Sequence, residues 1–69
     1  MYIDIIIPTL NDLRIKRTFK SLKLNSSYNK LKLIIIDGGS NAEYITLLKS
    51  NLRTQDTLIS ENDNGIFDA

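Results

Sequence analysis

The chain has 69 residues and a formal net charge of +1, from nine basic and eight acidic residues, and it contains no cysteine, histidine or tryptophan. A chain of this length forms at most one domain and buries only about 60% of the surface that its unfolded form exposes. The absence of cysteine and histidine excludes disulfides, imidazole general bases and nucleophile–histidine pairs. A zinc site would have only carboxylate ligands, which such sites rarely use.

No segment of the sequence predicts a membrane span or an export signal. No uninterrupted apolar run exceeds four residues, whereas a spanning helix needs roughly 20. Asp4 places an acid where a signal peptide carries cationic residues. The small net charge argues against nucleic acid as a partner. The expectation is a cytoplasmic domain, or a piece of one.

Three apolar runs bounded by turn residues predict β-strands. They are Tyr2–Ile7, Leu31–Ile36 and the short pair Leu58–Ile59. The first two end in isoleucine triplets, which are typical of parallel strands buried on both faces.

Two segments between these strands have helical spacing. The apolar positions that share one face are Ile15, Phe19 and Leu22 in the first segment, and Ile45, Leu48 and Leu52 in the second. The order strand, helix, strand, helix, strand predicts right-handed crossovers and a parallel sheet with helices packed on it.

Polar residues mark the expected ends of both helices. Asn11 or Asp12 is the expected N-cap of the first helix, and residues 25–27 are expected to end it. Ser40 or Asn41 is the expected N-cap of the second helix.

The basic residues are concentrated in one part of the chain. Seven of the nine lie between positions 14 and 32, while four of the eight acids lie in the last fourteen residues. The simpler interpretation of the basic segment is a solvated helix face. The alternative is a surface that meets anionic membrane lipid or a lipid-phosphate acceptor.

Turn-forming polar residues follow each predicted strand. Pro8–Asn11, Asp37–Ser40 and Ser60–Gly65 together contain all three glycines and the only proline. Ligands of open parallel sheets bind beyond the carboxyl ends of the strands, so these segments are expected to converge on one crevice. Each also has a purely structural interpretation, as a helix cap, a tight turn or a surface turn. Asp37 fits that interpretation least, because a carboxylate directly after a buried strand needs a partner or solvent.

The familiar phosphate-binding signatures are absent. The sequence contains neither G-x-x-x-x-G-K-[ST] nor a G-x-G-x-x-G after the first strand, so a P-loop or dinucleotide site is not expected. Asp37 and backbone groups of the loops would recognise the base and ribose of a nucleotide bound here. Its diphosphate would need a metal ion or basic groups from elsewhere.

The three segments together resemble family 2 glycosyltransferases of the GT-A type. The likeness is carried by Ile5–Asn11, Leu33–Ser40 and Ser60–Ala69, in the family's order and with similar spacing, and the last segment is the most diagnostic. Within the family, the chain is most similar to the bacterial branch that acts in capsule, O-antigen and exopolysaccharide synthesis.

This resemblance implies an α/β fold, a partial GT-A (Rossmann-like) open parallel sheet of order β-α-β-α-β that is truncated. Residues 1–69 would form an incomplete nucleotide-sugar-binding part. Pro8 and Thr9 would lie along the nucleotide, Asp37 would hydrogen-bond the uracil or the ribose, and the loop ending at Asp63 and Gly65 would close over it. The implied nucleotide-binding residues are Pro8, Thr9, Asn11, Asp37, Gly38, Gly39, Ser40, Asp63 and Gly65.

The implied reaction transfers a sugar from a nucleotide donor, UDP-linked, to a hydroxyl of a glycan or lipid-linked acceptor. A divalent metal, Mn²⁺ or Mg²⁺, is expected for the full-length enzyme, with its ligands and the catalytic base outside this segment. The chain would therefore be inactive alone, in the cytoplasm or at the inner face of the membrane. The alternatives are a small non-catalytic α/β binding module and a remnant of a truncated gene.

The sequence departs from the family pattern at three places. Leu10 stands where an aromatic residue is common, Gly38 replaces the second acid of a frequent Asp-Asp pair, and residues 41–43 lack the usual Thr-Asp. The expected truncation also leaves the first strand as an isoleucine-rich edge that is prone to pair with other chains.

Overall fold

The computed structural model describes residues 1–61 and the backbone of the strand at 65–68. The elements, in chain order, are β1 (Ile3–Thr9), α1 (Ile15–Leu24), a single 3₁₀ turn (Tyr28–Lys30), β2 (Leu31–Asp37), α2 (Ala42–Ser50), β3 (Thr57–Ser60) and β4 (Gly65–Asp68). All five predicted elements are present, with bounds that differ from the expected ones by at most two residues at the strand ends.

The strands form one sheet in the order β1-β2-β3-β4. β1, β2 and β3 are parallel, which confirms the predicted α/β architecture with a parallel sheet. β4 runs antiparallel to β3, with Gly65 paired to Ser60. The predicted β-α-β-α-β arrangement is thus present from β1 to β3. β4 is an additional strand that was not predicted, because four residues are too few to show a strand period.

Both helices pack on one face of the sheet. Two right-handed crossovers that advance in the same direction place their helices on the same side, and the burial of β2 alternates accordingly, with Leu33 and Ile35 fully buried and Ile34 and Ile36 only partly so. The core on the helix side consists of Ile15, Phe19, Leu31, Leu33, Ile35, Tyr44, Leu48 and Leu58. The prediction that these strands are buried on both faces is therefore wrong.

The two helices begin in different ways. Asn41 caps α2, since its side chain accepts a hydrogen bond from the backbone N–H of Tyr44 at 2.9 Å. The residue before α1 is Arg14, whose side chain makes no cap. Neither Asn11 nor Asp12 occupies the cap position, because Asp12 instead accepts the backbone N–H of Arg14 and forms a local turn. Within the described part of the chain, neither helix has the length and apolarity that crossing a bilayer requires.

β1 is an edge strand of the sheet. Among the described strands it pairs with β2 alone, so its outer side presents N–H and C=O groups to other chains. Ile6 is 66% exposed on the face away from the helices. Pro8, which has no N–H to donate, is tolerated at such an edge.

We expect the chain to self-associate with increasing concentration, and Ile6→Lys to shift this association to concentrations at least about tenfold higher. An exposed lysine disfavours strand pairing at an edge, and Ile6 contributes little burial. Sedimentation velocity across a concentration series measures the effect. Leu24→Lys, which changes a somewhat more exposed residue away from the edge, is the matched control. Equal association of the two variants would contradict this prediction.

Candidate functional site

Three loops meet at the carboxyl edge of the parallel strands. The N–H of Gly38 donates to the carbonyl of Thr9 at 2.9 Å, which joins the ends of β2 and β1. The N–H of Glu61 donates to the carbonyl of Asp37 at 3.2 Å, which joins the ends of β3 and β2. The predicted convergence of the segments after β1, β2 and β3 is thus present for the described residues.

The Asp37 carboxylate lies at the centre of this edge and is fully buried. Its Oδ2 accepts hydrogen bonds from the N–H groups of Gly39 and Ser40 at 3.1 and 2.9 Å, and from the Ser60 hydroxyl at 2.9 Å. Its Oδ1 accepts the Ser40 hydroxyl. One side chain therefore connects the loop after β2 to the end of β3.

This hydrogen bonding controls the charge of Asp37. Burial by itself raises the pKa of the carboxyl, but the bonds from Ser40, Ser60 and Gly39 outweigh it and hold the pKa below its usual range. Asp37 is consequently ionised at neutral pH. It adds a fixed negative charge beneath the loop.

Two residues allow the loops to turn sharply. Asn11 adopts a left-handed conformation with φ of 44°, and Gly39 has φ of 109°, which favours glycine. In this conformation the N–H of Asn11 donates to the Ser40 hydroxyl at 2.8 Å, and its side-chain oxygen accepts the N–H of Asn41 at 3.0 Å. Asn11 thereby fixes the loop after β1 to the start of α2.

Tyr44 and Ser60 belong to the same network, although neither is among the predicted site residues. The Tyr44 hydroxyl donates to the carbonyl of Asp12 at 2.7 Å and hydrogen-bonds the Thr9 hydroxyl. Tyr44 lies in the first turn of α2, three residues after the Asn41 cap. That position near the carboxyl edge could have indicated a role for Tyr44 from the sequence. Ser60 could be placed beside Asp37 only once the strand order was known.

The predicted site residues differ in their access to a ligand. Pro8, Asn11 and Gly38 are exposed, Thr9 and Gly39 are half-buried, and Asp37 and Ser40 are buried. Gly65 starts β4 opposite Ser60, whereas Asp63 lies outside the described residues. Because the Asp37 oxygens already accept four hydrogen bonds, direct contact with a nucleotide would require a serine hydroxyl to turn away. That contact stays a prediction.

Two open cavities flank the loop after β1. One, of about 320 Å³, is lined by Pro8, Thr9, Asp12 and Arg14 together with Ile7, Ile15 and Thr18. The other, of about 450 Å³, is lined by Asn11, Leu13, Lys16, Asn41, Glu43, Tyr44 and Leu47. Each cavity therefore combines exposed loop residues with one basic and one acidic side chain, Arg14 with Asp12 and Lys16 with Glu43.

The described residues do not fit a divalent metal ion. Among residues 1–61 there is no group of three or more acidic side chains close enough to ligate one, and the Asp37 oxygens are occupied by hydrogen-bond donors. The expected metal of the full-length enzyme therefore stays a prediction, and no step of the chemistry is assigned to it.

A second buried carboxylate, Asp56, lies at the opposite end of the sheet. It accepts the N–H of Leu33, near the start of β2, at 2.8 Å, and it forms an ion pair with Arg53 at 2.9 Å. Arg53 also donates to the carbonyls of Tyr28 and Leu31 and lies over the Tyr28 ring. This arrangement closes the loop before β3 and has a structural role.

No protein-family model, no curated protein and no solved structure matches this chain. The fold and the edge described above define it as a small α/β domain with a polar loop network at the carboxyl edge of a parallel sheet.

Proposed function

We propose that the chain forms the nucleotide-binding part of a glycosyltransferase similar to family 2, contributing one portion of a UDP-sugar site. The observation that supports this most is the loop network around Asp37, which joins the carboxyl ends of three parallel strands. This edge is where open α/β sheets bind their ligands. The resemblance of the sequence in the same three loops suggests the ligand class.

In this proposal the exposed rim of the network contacts the nucleotide. Gly38 and Asn11 are exposed at this rim, where the base and ribose would lie. Lys16 and Arg14 line the two flanking cavities. Lys16 supplies positive charge for the diphosphate, and Arg14 can add to it only by exchanging its ion pair with Asp12. Asp37 acts as a positioning residue, because it holds Gly39 and Ser40 in place from below.

The proposed reaction of the full-length enzyme is transfer of a sugar from the nucleotide to an acceptor hydroxyl in polysaccharide synthesis. Neither a metal site nor a general base can be assigned among the described residues. We therefore propose that this chain alone does not catalyse transfer. Turnover of a nucleotide sugar by the isolated chain with Mn²⁺ would contradict that part of the proposal.

A titration of the ¹⁵N-labelled chain with UDP tests nucleotide binding. We expect chemical-shift changes at Gly38, Gly39 and Ser40, and we expect Gly38→Leu to abolish them. A Cβ at position 38 meets Thr9 and Leu10 only at ordinary van der Waals distances of 3.7–3.8 Å, so the fold tolerates the variant while its longer side chain covers the rim. Thr54→Leu, an equally exposed change outside the site, is the control and should bind UDP as the parent does.

A non-catalytic α/β binding module is the second candidate. The observation that favours it is that no buried side-chain polar atom of the described residues lacks a hydrogen-bond partner, so the Asp37 network is complete without a ligand. A chain that unfolds cooperatively but shows no shift with UDP would support this candidate and contradict the nucleotide site. A molten spectrum would instead favour the remnant of a truncated gene.

A further inference from the structure

The outer face of α1 is strongly cationic. Lys16, Lys20 and Lys23 recur at intervals of four and three residues, so they lie along one side of the helix, with Arg17 beside them. All four side chains are exposed, and the helix contains no acidic residue. Among the described residues, no ion pair neutralises any of them. We refer to these four residues as the α1 basic face.

The three lysines surround a shallow cavity of about 280 Å³. Its lining is completed by Phe19, Leu24 and Asn51, so it has an apolar floor and a cationic rim. The Asn51 side-chain oxygen accepts a hydrogen bond from the Lys23 ammonium at 2.8 Å, which holds that charge at the rim. A phosphate group entering here would meet several ammonium groups at once.

Exposed leucines lie at both ends of the same surface. Leu13, in the turn before α1, is 63% exposed, and Leu24, the last residue of the helix, is 79% exposed. Single exposed leucines are ordinary on a protein surface, so it is their position at the two ends of a cationic face that bears on its partner. Cationic residues with apolar side chains beside them are typical of helices that lie in a membrane interface.

We propose that the α1 basic face docks on the surface of an anionic phospholipid bilayer, with lipid phosphates at the lysine rim and Leu13 and Leu24 in the interface. Two observations carry the proposal: the charge complementarity of an acid-free helix face, and the flanking leucines. A nucleic-acid partner would use the charges but would leave the leucines without a role. The proposal shares only Lys16 with the proposed nucleotide site, and its test uses no nucleotide, so either proposal can fail without the other.

Sedimentation of the full chain with vesicles tests this docking. We expect binding to phosphatidylcholine vesicles containing 50% phosphatidylglycerol, and at least about tenfold weaker binding to pure phosphatidylcholine vesicles or at raised salt. Neutralising the rim with Lys16→Gln, Lys20→Gln and Lys23→Gln together should lower the partition coefficient about a hundredfold, since each cation near such a surface contributes roughly fivefold.

Further measurements distinguish docking through the α1 basic face from attraction by the overall charge and from nucleic-acid binding. Lys30→Gln, Lys32→Gln and Lys49→Gln together remove the same charge elsewhere, and should lower binding less than about fivefold. Leu13→Ser with Leu24→Ser should weaken vesicle binding at least about tenfold without changing the unfolding midpoint. The proposal is overturned if the two triple variants bind alike, if the leucine variant binds like the parent, or if single-stranded RNA binds as tightly as the anionic vesicles.

Discussion

Replacing Asp56 with asparagine should lower the free energy of unfolding of the chain by about 3–5 kcal/mol at 25 °C. The Asp56 carboxylate is buried and accepts hydrogen bonds from the N–H groups of Leu33 and Arg53 and from the Arg53 guanidinium. An asparagine at this position leaves the Arg53 charge without its counter-ion. Its NH₂ group also presents donors where the backbone already donates.

The magnitude follows from the size of the chain. Breaking a buried ion pair by removing one partner costs about 3–5 kcal/mol. A domain of this length is stable by only about 3–10 kcal/mol in total, so the loss removes between about a third and all of the stability. Urea denaturation followed by circular dichroism measures the effect.

Arg14→Gln is the matched control, because Arg14 pairs with Asp12 at 2.6 Å on the surface. Exposed ion pairs contribute little, so we expect no measurable change in its urea midpoint. An Asp56→Asn chain that keeps nine-tenths of the parent's unfolding free energy would show that the pair is dispensable.

An apolar replacement of the whole pair should not restore stability. Buried ion pairs can often be exchanged for hydrophobic residues without loss. Here, however, Asp56→Leu with Arg53→Met leaves the N–H groups of residues 33 and 53 without their acceptor. The Arg53 guanidinium also donates hydrogen bonds to the carbonyls of Tyr28 and Leu31. The double variant therefore removes the donor for these two carbonyls as well as the acceptor for the two N–H groups.

The sequence predicted the elements of the fold because they depend on local patterns. The isoleucine triplets, the helical spacing of Ile15 and Phe19 and the cap at Asn41 are each readable within a few residues. The open second face of the sheet was not predictable in this way. It depends on the direction in which both crossovers advance, and a run such as Ile34–Ile36 looks the same whether its second face is covered or open.

The candidate site was predictable in part for the same reason. The position of Asp37 after β2 and of Ser40 three residues later indicated a turn, and the structure contains that turn with both residues buried. The bond from Ser60 joins residues that are 23 positions apart, and it depends on β3 lying beside β2. The Arg53–Asp56 pair was not singled out, because two charges three residues apart in a polar loop are typical of a solvated surface.

Replacing Asp37 with asparagine should lower the stability of the chain at pH 7 by about 3 kcal/mol. Hydrogen bonds to a charged group contribute about 1.5–3 kcal/mol each, and a donor left without its acceptor adds a penalty. The Ser40 and Gly39 N–H groups and the Ser60 hydroxyl all donate to this carboxylate. We therefore expect the lost stability to come from the loops that form the carboxyl edge.

The difference between the parent and Asp37→Asn should shrink as the pH falls. The folded chain holds the pKa of Asp37 below its usual range, so the unfolded chain binds the proton more readily. The stability that this carboxylate contributes is complete above about pH 5, and is lost as the pH falls through the unfolded value of about 3.9 towards the lower folded pKa. Urea midpoints of both chains between pH 7 and pH 2.5 measure the difference.

Ser60→Ala tests the contribution of the Asp37 carboxylate separately from that of the rest of the loop. It removes one of the donors that lower the pKa of Asp37, so the folded pKa should rise towards its usual range and the loss of stability on acidification should become smaller. If Asp37→Asn and the parent lose stability in parallel down to pH 2.5, the charge of Asp37 does not stabilise the edge. The loops would then be held by their backbone hydrogen bonds, and Asp37 would be available to a ligand.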